Sequence, residues 1–344
     1  MAISVITSAT KDHRPELIRR VRGQTIEVPD LLLIYAGWIV QKHDTTDQLR
    51  HNLEEWLKTY VPTEKERTKQ RKVDSAFCAG HFFGRVPTDR FKILGSLVAW
   101  FFFWDDEVDC GSLTEDREKA EAYCDDAMTF IRSCLQPNMY NEPPAPGRLH
   151  NSGPFVEIGR AMQTGQSMED RDRFARSLYD VEDYIEGRLV SVACEPCLTI
   201  MAWAYELSLP SWIWKHEATL RLFREVSMGS FLCNDIASLK KEIDDNEIDS
   251  LVPILIYHEG LTAQEAIDRV SNMAVLSWQD LLDAEQRLRI AVGGETERVQ
   301  RDVELLIRGC KDILVGGLIF TFHAPRYLPK TAFDRDGRKF KVVL

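Results

Sequence analysis

Four acids fall within five positions at Asp105-Asp106-Glu107-Val108-Asp109, directly after an uncharged run, Leu97-Val98-Ala99-Trp100-Phe101-Phe102-Phe103-Trp104. A run this apolar drives burial, and burying carboxylates without partners is very costly. The acids are therefore expected at the end of a buried helix, where it opens into a cavity. Asp105 and Asp109 are four residues apart and share one helical face. Two carboxylates held that close repel each other unless a cation sits between them. Hard oxygen ligands suit Mg²⁺, which keeps several waters and shares its shell with substrate phosphates. The same residues also read as a solvated acidic helix end, so this stretch alone leaves both open.

A second line strengthens the first reading. Asn234, Ser238 and Glu242 recur every four residues, so an amide, a hydroxyl and a carboxylate lie along two turns of helix. Such a set can hold a divalent ion without the charge repulsion of three acids. Lys241 beside it could reach a phosphate as a point charge. Arg188 and Arg326-Tyr327 add guanidinium forks matched to phosphate oxygens, and the tyrosine adds one more donor. Each element alone also fits an ordinary surface face or salt bridge. Two metal-spaced lines on helices leaving the core point together to a greasy pocket with a metal–phosphate site at its mouth. Phe77, Phe82, Phe101, Phe102, Trp104 and Phe320 are candidates for the pocket wall. Some of them are expected to be plain core.

The elements that must position these residues read as helices throughout. Apolar spacing predicts helices over Leu31–Gln41 and Asp44–Tyr60 and one starting at Thr63-Glu64-Lys65-Glu66, and Phe77–Phe83 is a largely apolar stretch before the break at Pro87. Thr88-Asp89-Arg90 begins the long helix that ends in the acids, and Gly111-Ser112 breaks it. Further helices are expected from Thr114 to about Leu135, over Pro154–Gln166, Asp170–Val192 and Leu198–Leu207, and from Lys215 past Ser238. Others are expected from Pro253 to Glu259, over Ala263–Leu288 and over Glu295–Phe322. Residues 1–30 are expected to be loosely ordered or to wrap the core. The stretch from Gln136 to Gly153, with four prolines, reads as a surface loop inside one domain spanning 1–344. Alternating strand patterns with Asn-Gly or Asp-Gly turns are missing, so the expected class is all-α.

Composition narrows the partners. The chain has 344 residues, 44% of them hydrophobic, and a net charge of −11. That charge argues against nucleic acid as a partner. No secretory leader is evident, and no uncharged run reaches the roughly 18 residues of a membrane span, so a cytoplasmic enzyme is expected. The eight cysteines form no regular framework and read as reduced, packed thiols, Cys194-Glu195-Pro196-Cys197 included. Oligomeric state is open, and a homodimer is compatible with the sequence.

Taken together, the motifs resemble those of class I terpene synthases, above all microbial, fungal-type single-domain sesquiterpene synthases. Asp105 to Asp109 matches the aspartate-rich DDxxD motif, and Asn234, Ser238 and Glu242 match the NSE motif with its Lys-Glu ending. Arg326-Tyr327 matches the terminal Arg-Tyr pair, and Arg188 lies 46 residues before Asn234, where the family's diphosphate-sensing arginine is expected. The resemblance spans roughly residues 75–330. It implies an all-α bundle, three Mg²⁺ ions (Mn²⁺ could substitute) and a prenyl diphosphate substrate. It implies metal at Asp105, Asp109, Asn234, Ser238 and Glu242, and diphosphate at Arg188, Lys241, Arg326 and Tyr327. Asp106 is expected either beside the metal or paired with a base such as Arg326. Phe320 stands where many relatives carry a tryptophan. Ser191 and Val192 occupy the region of the usual effector glycine, so no effector is assigned. Farnesyl diphosphate is the expected substrate and a sesquiterpene hydrocarbon or alcohol the product, with geranylgeranyl diphosphate an alternative. A prenyl-chain elongating synthase fits poorly, because the second acid cluster, Asp244 to Asp249, lacks the DDxxD spacing. A non-catalytic helical scaffold is the remaining rival.

Overall fold

The computed structural model describes residues 14–61, 63–109, 117–136, 152–163, 166–178, 194–245, 250–324 and 340–344. Among them the chain is a bundle of α-helices with one two-stranded ribbon. The helices are α1 (Arg14–Val21), α2 (Thr46–Tyr60), α3 (Glu64–Val73), α4 (Ser75–Phe82), α5 (Thr88–Asp109), α6 (Arg117–Leu135), α7 (Pro154–Gln163) and α8 (Met168–Ser177). They continue with α9 (Cys194–Thr199), α10 (Met201–Ala204), α11 (Ser211–Lys215), α12 (Glu217–Asp245), α13 (Leu251–Glu259), α14 (Ala263–Ala291) and α15 (Glu297–His323).

Local chemistry sets several of these boundaries. Thr63 and Glu66 form a reciprocal capping box that starts α3, and Thr262 with Glu265 does the same for α14. Asp74 ends α3 in the left-handed conformation, with φ at 57°, and its carboxylate accepts the Phe77 N–H that starts α4. One residue thus serves two helices and fixes the angle between them.

Five helices make the frame. α12 lies along α14 and α15, α15 packs on α4, and α4 packs on α5. The two helices carrying the sequence motifs, α5 and α12, are therefore held apart by α4 and α15. Close approach of α4 and α15 depends on Gly316, where an added Cβ would stand 2.9 Å from the carbonyl oxygen of His81. α5 is buried along most of its length. Phe91, Leu94, Leu97, Val98, Trp100 and Phe103 are each at most 6% exposed.

Some sequence expectations are corrected here. The predicted helix over Leu31–Gln41 is a 3-10 turn confined to Leu31–Tyr35, because Gly37 adopts a positive φ of 91° that no helix continues through. A short antiparallel ribbon, β1 (Thr25–Val28) with β2 (Phe340–Val343), joins the two ends of the chain. Residues 14–28 wrap the core rather than hang loose, burying Leu17, Ile18, Val21, Ile26 and Val28. The helix expected over Leu198–Leu207 begins earlier, at Cys194, and breaks at Ile200. The stretch from Lys215 divides at His216, and the first part of the predicted Asp170–Val192 helix is α8, with 179–193 outside the described residues. The described cysteines are free thiols. Burial raises the Cys78 and Cys197 thiols and pushes Cys194 up to about 11, which leaves all three as inert packing groups near neutral pH.

Behind the frame sits a buried ionic cluster. Lys311 donates to Glu285 at 2.8 Å and lies over the rings of Trp38 and Trp278. Beside it the fully buried Asp312 accepts from Trp38 Nε1 at 3.0 Å and from Arg85 Nε at 3.1 Å. Desolvation outweighs these partners and raises Asp312 from 3.8 to about 6. The native state therefore binds this proton more tightly than the unfolded chain, and the group's contribution to stability is lost as pH rises through about 6. Acidification from pH 7 to 5 is expected to stabilise the wild-type protein by about 1 kcal/mol more than Asp312→Asn, measured as denaturation midpoints. Equal pH slopes in the two proteins would remove Asp312 as a titrating group.

Candidate active site

Where α12 turns polar, its apolar face (Val226, Phe231, Leu232) gives way to Asn234, Ser238 and Glu242 on one stripe. Ser238 Oγ donates to the Asn234 carbonyl oxygen at 2.8 Å and lies 2.6 Å from Glu242 Oε1. Ser250 Oγ donates to Glu242 Oε2 at 2.5 Å, which fixes the second carboxylate oxygen from the start of α13. The neighbouring Asp235 is fully buried and turned away, accepting the Leu251 N–H at 2.8 Å. Asp235 therefore fastens α13 to α12, and Asn234 and Glu242 are partly exposed.

The donor set fits a hard divalent cation. The hydroxyl of Ser238 and the carboxylate of Glu242 are already in contact at 2.6 Å, and the amide of Asn234 follows on the same stripe by register, an all-oxygen set of the kind Mg²⁺ takes. Among the described residues there is no group of three or more His, Cys, Asp and Glu side chains of metal-binding type. That agrees with a line carrying a single carboxylate. Lys241 ends beside it, 30% exposed and 3.3 Å from Asp245 Oδ2.

The second motif closes α5. Its helical backbone runs through Asp109, so Asp105 and Asp109 occupy one helical face by register. The side chains of Asp105 and of 107–109 lie outside the described set. Asp106 is described, and it is buried. Gln70 Nε2 donates to its Oδ2 at 2.9 Å, and Lys69 Nζ lies 3.0 Å from its Oδ1. The described partners of Asp106 come from α3, and Arg326, named as one base it could pair with, lies outside the described residues. Nothing in the sequence links Lys69 or Gln70 to an acid at least 36 residues away, and the turn that brings Ser250 back to Glu242 carries no motif, so these three are not foreseen. Arg188, Arg326 and Tyr327 lie outside the described residues.

Of the six expected aromatics, two meet each other directly. Phe102 of α5 and Phe320 of α15 approach to 5.3 Å between ring centroids. Phe82 of α4 reaches α15 at Gly317, and Phe77 stacks on His323 at 3.8 Å. Phe77, Phe82, Phe101, Phe102 and Trp104 are all partly exposed, and Phe320 is buried. Phe101 and Trp104 pack instead on Trp100, at 5.5 and 5.8 Å, on the side of α5 where Trp100 meets Phe155 of α7.

This arrangement, with two oxygen-bearing helix ends across an aromatic interior, is the architecture of class I terpene synthases. Hedycaryol synthase in complex with HEPES superposes with a TM-score of 0.71 at 19% identity, over 86% of this chain and 98% of that one. Residues 150–280 match the family model described as terpene synthase family 2, C-terminal metal binding. Terpene cyclase braA of Annulohypoxylon truncatum is 28% identical, over 97% of this chain and 93% of its own length. Sesquiterpene cyclase hepA of Aspergillus oryzae is 24% identical, over 96% and 97%. Residues 150–280 thus carry the metal-binding region of terpene synthase family 2 on the class I terpene synthase fold, and the curated relatives matched over nearly the full length are fungal cyclases. No described helix is long and apolar enough to cross a membrane.

Proposed function

We propose that the protein ionises farnesyl diphosphate and cyclises the resulting cation to a sesquiterpene hydrocarbon or alcohol, releasing diphosphate in a Mg²⁺-dependent reaction. The observation that carries this reading is the oxygen line Asn234–Ser238–Glu242 on α12, in a bundle whose α5 and α15 bring Phe102 and Phe320 together. The names of relatives matched end to end, such as sesquiterpene cyclase hepA, support the C15 substrate.

Ionisation breaks an allylic C–O bond, and the electron pair leaves with the diphosphate. Asn234, Ser238 and Glu242 on α12, with Asp105 and Asp109 on α5, would hold the metal. Mg²⁺ bound there supplies positive charge against the leaving diphosphate. Lys241, Arg188, Arg326 and Tyr327 would bind the diphosphate oxygens directly. The interior must then fold the cation without trapping it. Ring faces of Phe77, Phe82, Phe102 and Phe320 attract a desolvated cation by about 2 kcal/mol or more each in favourable geometry. Their apolar surface also keeps water from quenching it early. A cytoplasmic enzyme of fungal secondary metabolism is the setting that fits this chemistry.

The test is a panel of geranyl, farnesyl and geranylgeranyl diphosphates at equal concentration, with products read by gas chromatography–mass spectrometry. The expected result is a C15 product from farnesyl diphosphate with at least about a tenfold kcat/KM advantage over the others, the discrimination expected of a shape-limited apolar pocket. A C20 product in similar yield would assign a deeper pocket. A longer prenyl diphosphate would assign chain elongation.

A further inference from the structure

The metal reading of the two helix ends leaves Asp106 without a role. Its helical position is about 100° around α5 from Asp105, so it does not share the face of Asp105 and Asp109. Its side chain is 8% exposed and lies against the last turn of α3. Gln70 is itself buried, at 6% exposure, and gives its amide N–H to Asp106 Oδ2. Lys69 reaches Oδ1 from a half-exposed position, where solvent screens the pair.

We propose that Gln70 is a positioning residue for the metal site. It sets the rotation of the last turn of α5 by holding Asp106 toward α3, and so determines where Asp105 and Asp109 are presented. The proposal rests on the metal reading given above. Three observations carry it. A carboxylate buried this deeply needs partners, and the amide of Gln70 is one that is itself buried. The base that donates is rigid, because α3 is capped at one end by the Thr63–Glu66 box and locked at the other by the left-handed Asp74. Packing does not hold Gln70 on every side, since a cavity of about 320 Å³ opens beside it, lined also by Arg50, Leu57, Asp74 and Ala99. The polar bond, rather than close packing, therefore fixes the amide and the turn it anchors.

That distinction makes two substitutions rank in opposite orders. Gln70→Met keeps length and suits a buried site, but donates no hydrogen bond. Gln70→Lys is longer and charged, but donates to Asp106 and can use the adjacent cavity. The readout is the Mg²⁺ concentration giving half-maximal thermal stabilisation of the full chain in the presence of inorganic diphosphate, with circular dichroism as the check of fold. The expected result is a shift to roughly tenfold higher Mg²⁺ in Gln70→Met, in line with other outer partners of metal sites, and recovery to within about threefold of wild type in Gln70→Lys. A Met variant that titrates like wild type overturns the proposal. So does a Lys variant that needs roughly tenfold more Mg²⁺ than wild type, a comparison that stands even if the Met protein fails to fold. A wild-type protein that shows no stabilisation by Mg²⁺ and diphosphate overturns the metal reading itself, and this proposal falls with it.

Discussion

Glu242→Ala is expected to lower Mg²⁺-dependent diphosphate release at least about a hundredfold, while the helical fold survives. Glu242 is the one carboxylate on its line, so its loss removes the only formal negative charge that α12 offers a cation there. Both its oxygens are engaged, one by Ser238 and one by Ser250. Ser250 is 2% exposed and would lose this acceptor. An orphaned buried hydroxyl costs about 1–3 kcal/mol, which in a chain of this size lowers the melting temperature by only a few degrees. Loss of activity and loss of stability are thus separable by measuring both. Glu242→Asp should recover part of the activity, because it keeps the charge and shortens the reach. Turnover by Glu242→Ala within about threefold of wild type would remove α12 from the metal site.

Phe320→Ala is expected to change what is made more than how fast diphosphate is released. The ring is 3% exposed, contacts Phe102 and sits one helical turn from Gly317, which faces Phe82. Its removal takes out one cation-attracting face and opens volume in the wall. The new space lets the cation fold differently and exposes it longer, so the product profile should shift toward less cyclised or hydroxylated species. Phe→Ala truncations of buried rings cost about 3–5 kcal/mol, so the melting temperature should fall by roughly 5 °C. Phe320→Leu should fall less and serves as the milder variant. An unchanged product profile in both variants, with turnover retained, would assign Phe320 to core packing alone.

The helices and the α12 oxygen line could be read in the sequence because both depend on short-range spacing. Asn234, Ser238 and Glu242 announce a shared face through their period alone, and Thr63 and Glu66 announce a capped start. Phe102 and Phe320 could be named as candidates, but their meeting depends on how α4 spaces α5 from α15. The same limit applies to Asp106. Its acidic neighbours are visible in the sequence, whereas its partners on α3 follow only from a tertiary contact. Phe101 and Trp104 show the converse case. They share the apolar run with Phe102, yet successive helical residues point about 100° apart, and these two pack on Trp100. The terminal ribbon of β1 and β2 escaped notice because each strand has four residues and its partner lies at the other end of the chain.

The most direct test of the central claim is incubation of the purified chain with farnesyl diphosphate, with and without Mg²⁺, quantifying released diphosphate and volatile product together. The account predicts one diphosphate for each C15 hydrocarbon or alcohol when Mg²⁺ is present, and neither when it is chelated. Product formed equally well without a divalent ion would contradict the metal site at the ends of α5 and α12. No product or diphosphate under either condition would contradict the proposed reaction on farnesyl diphosphate.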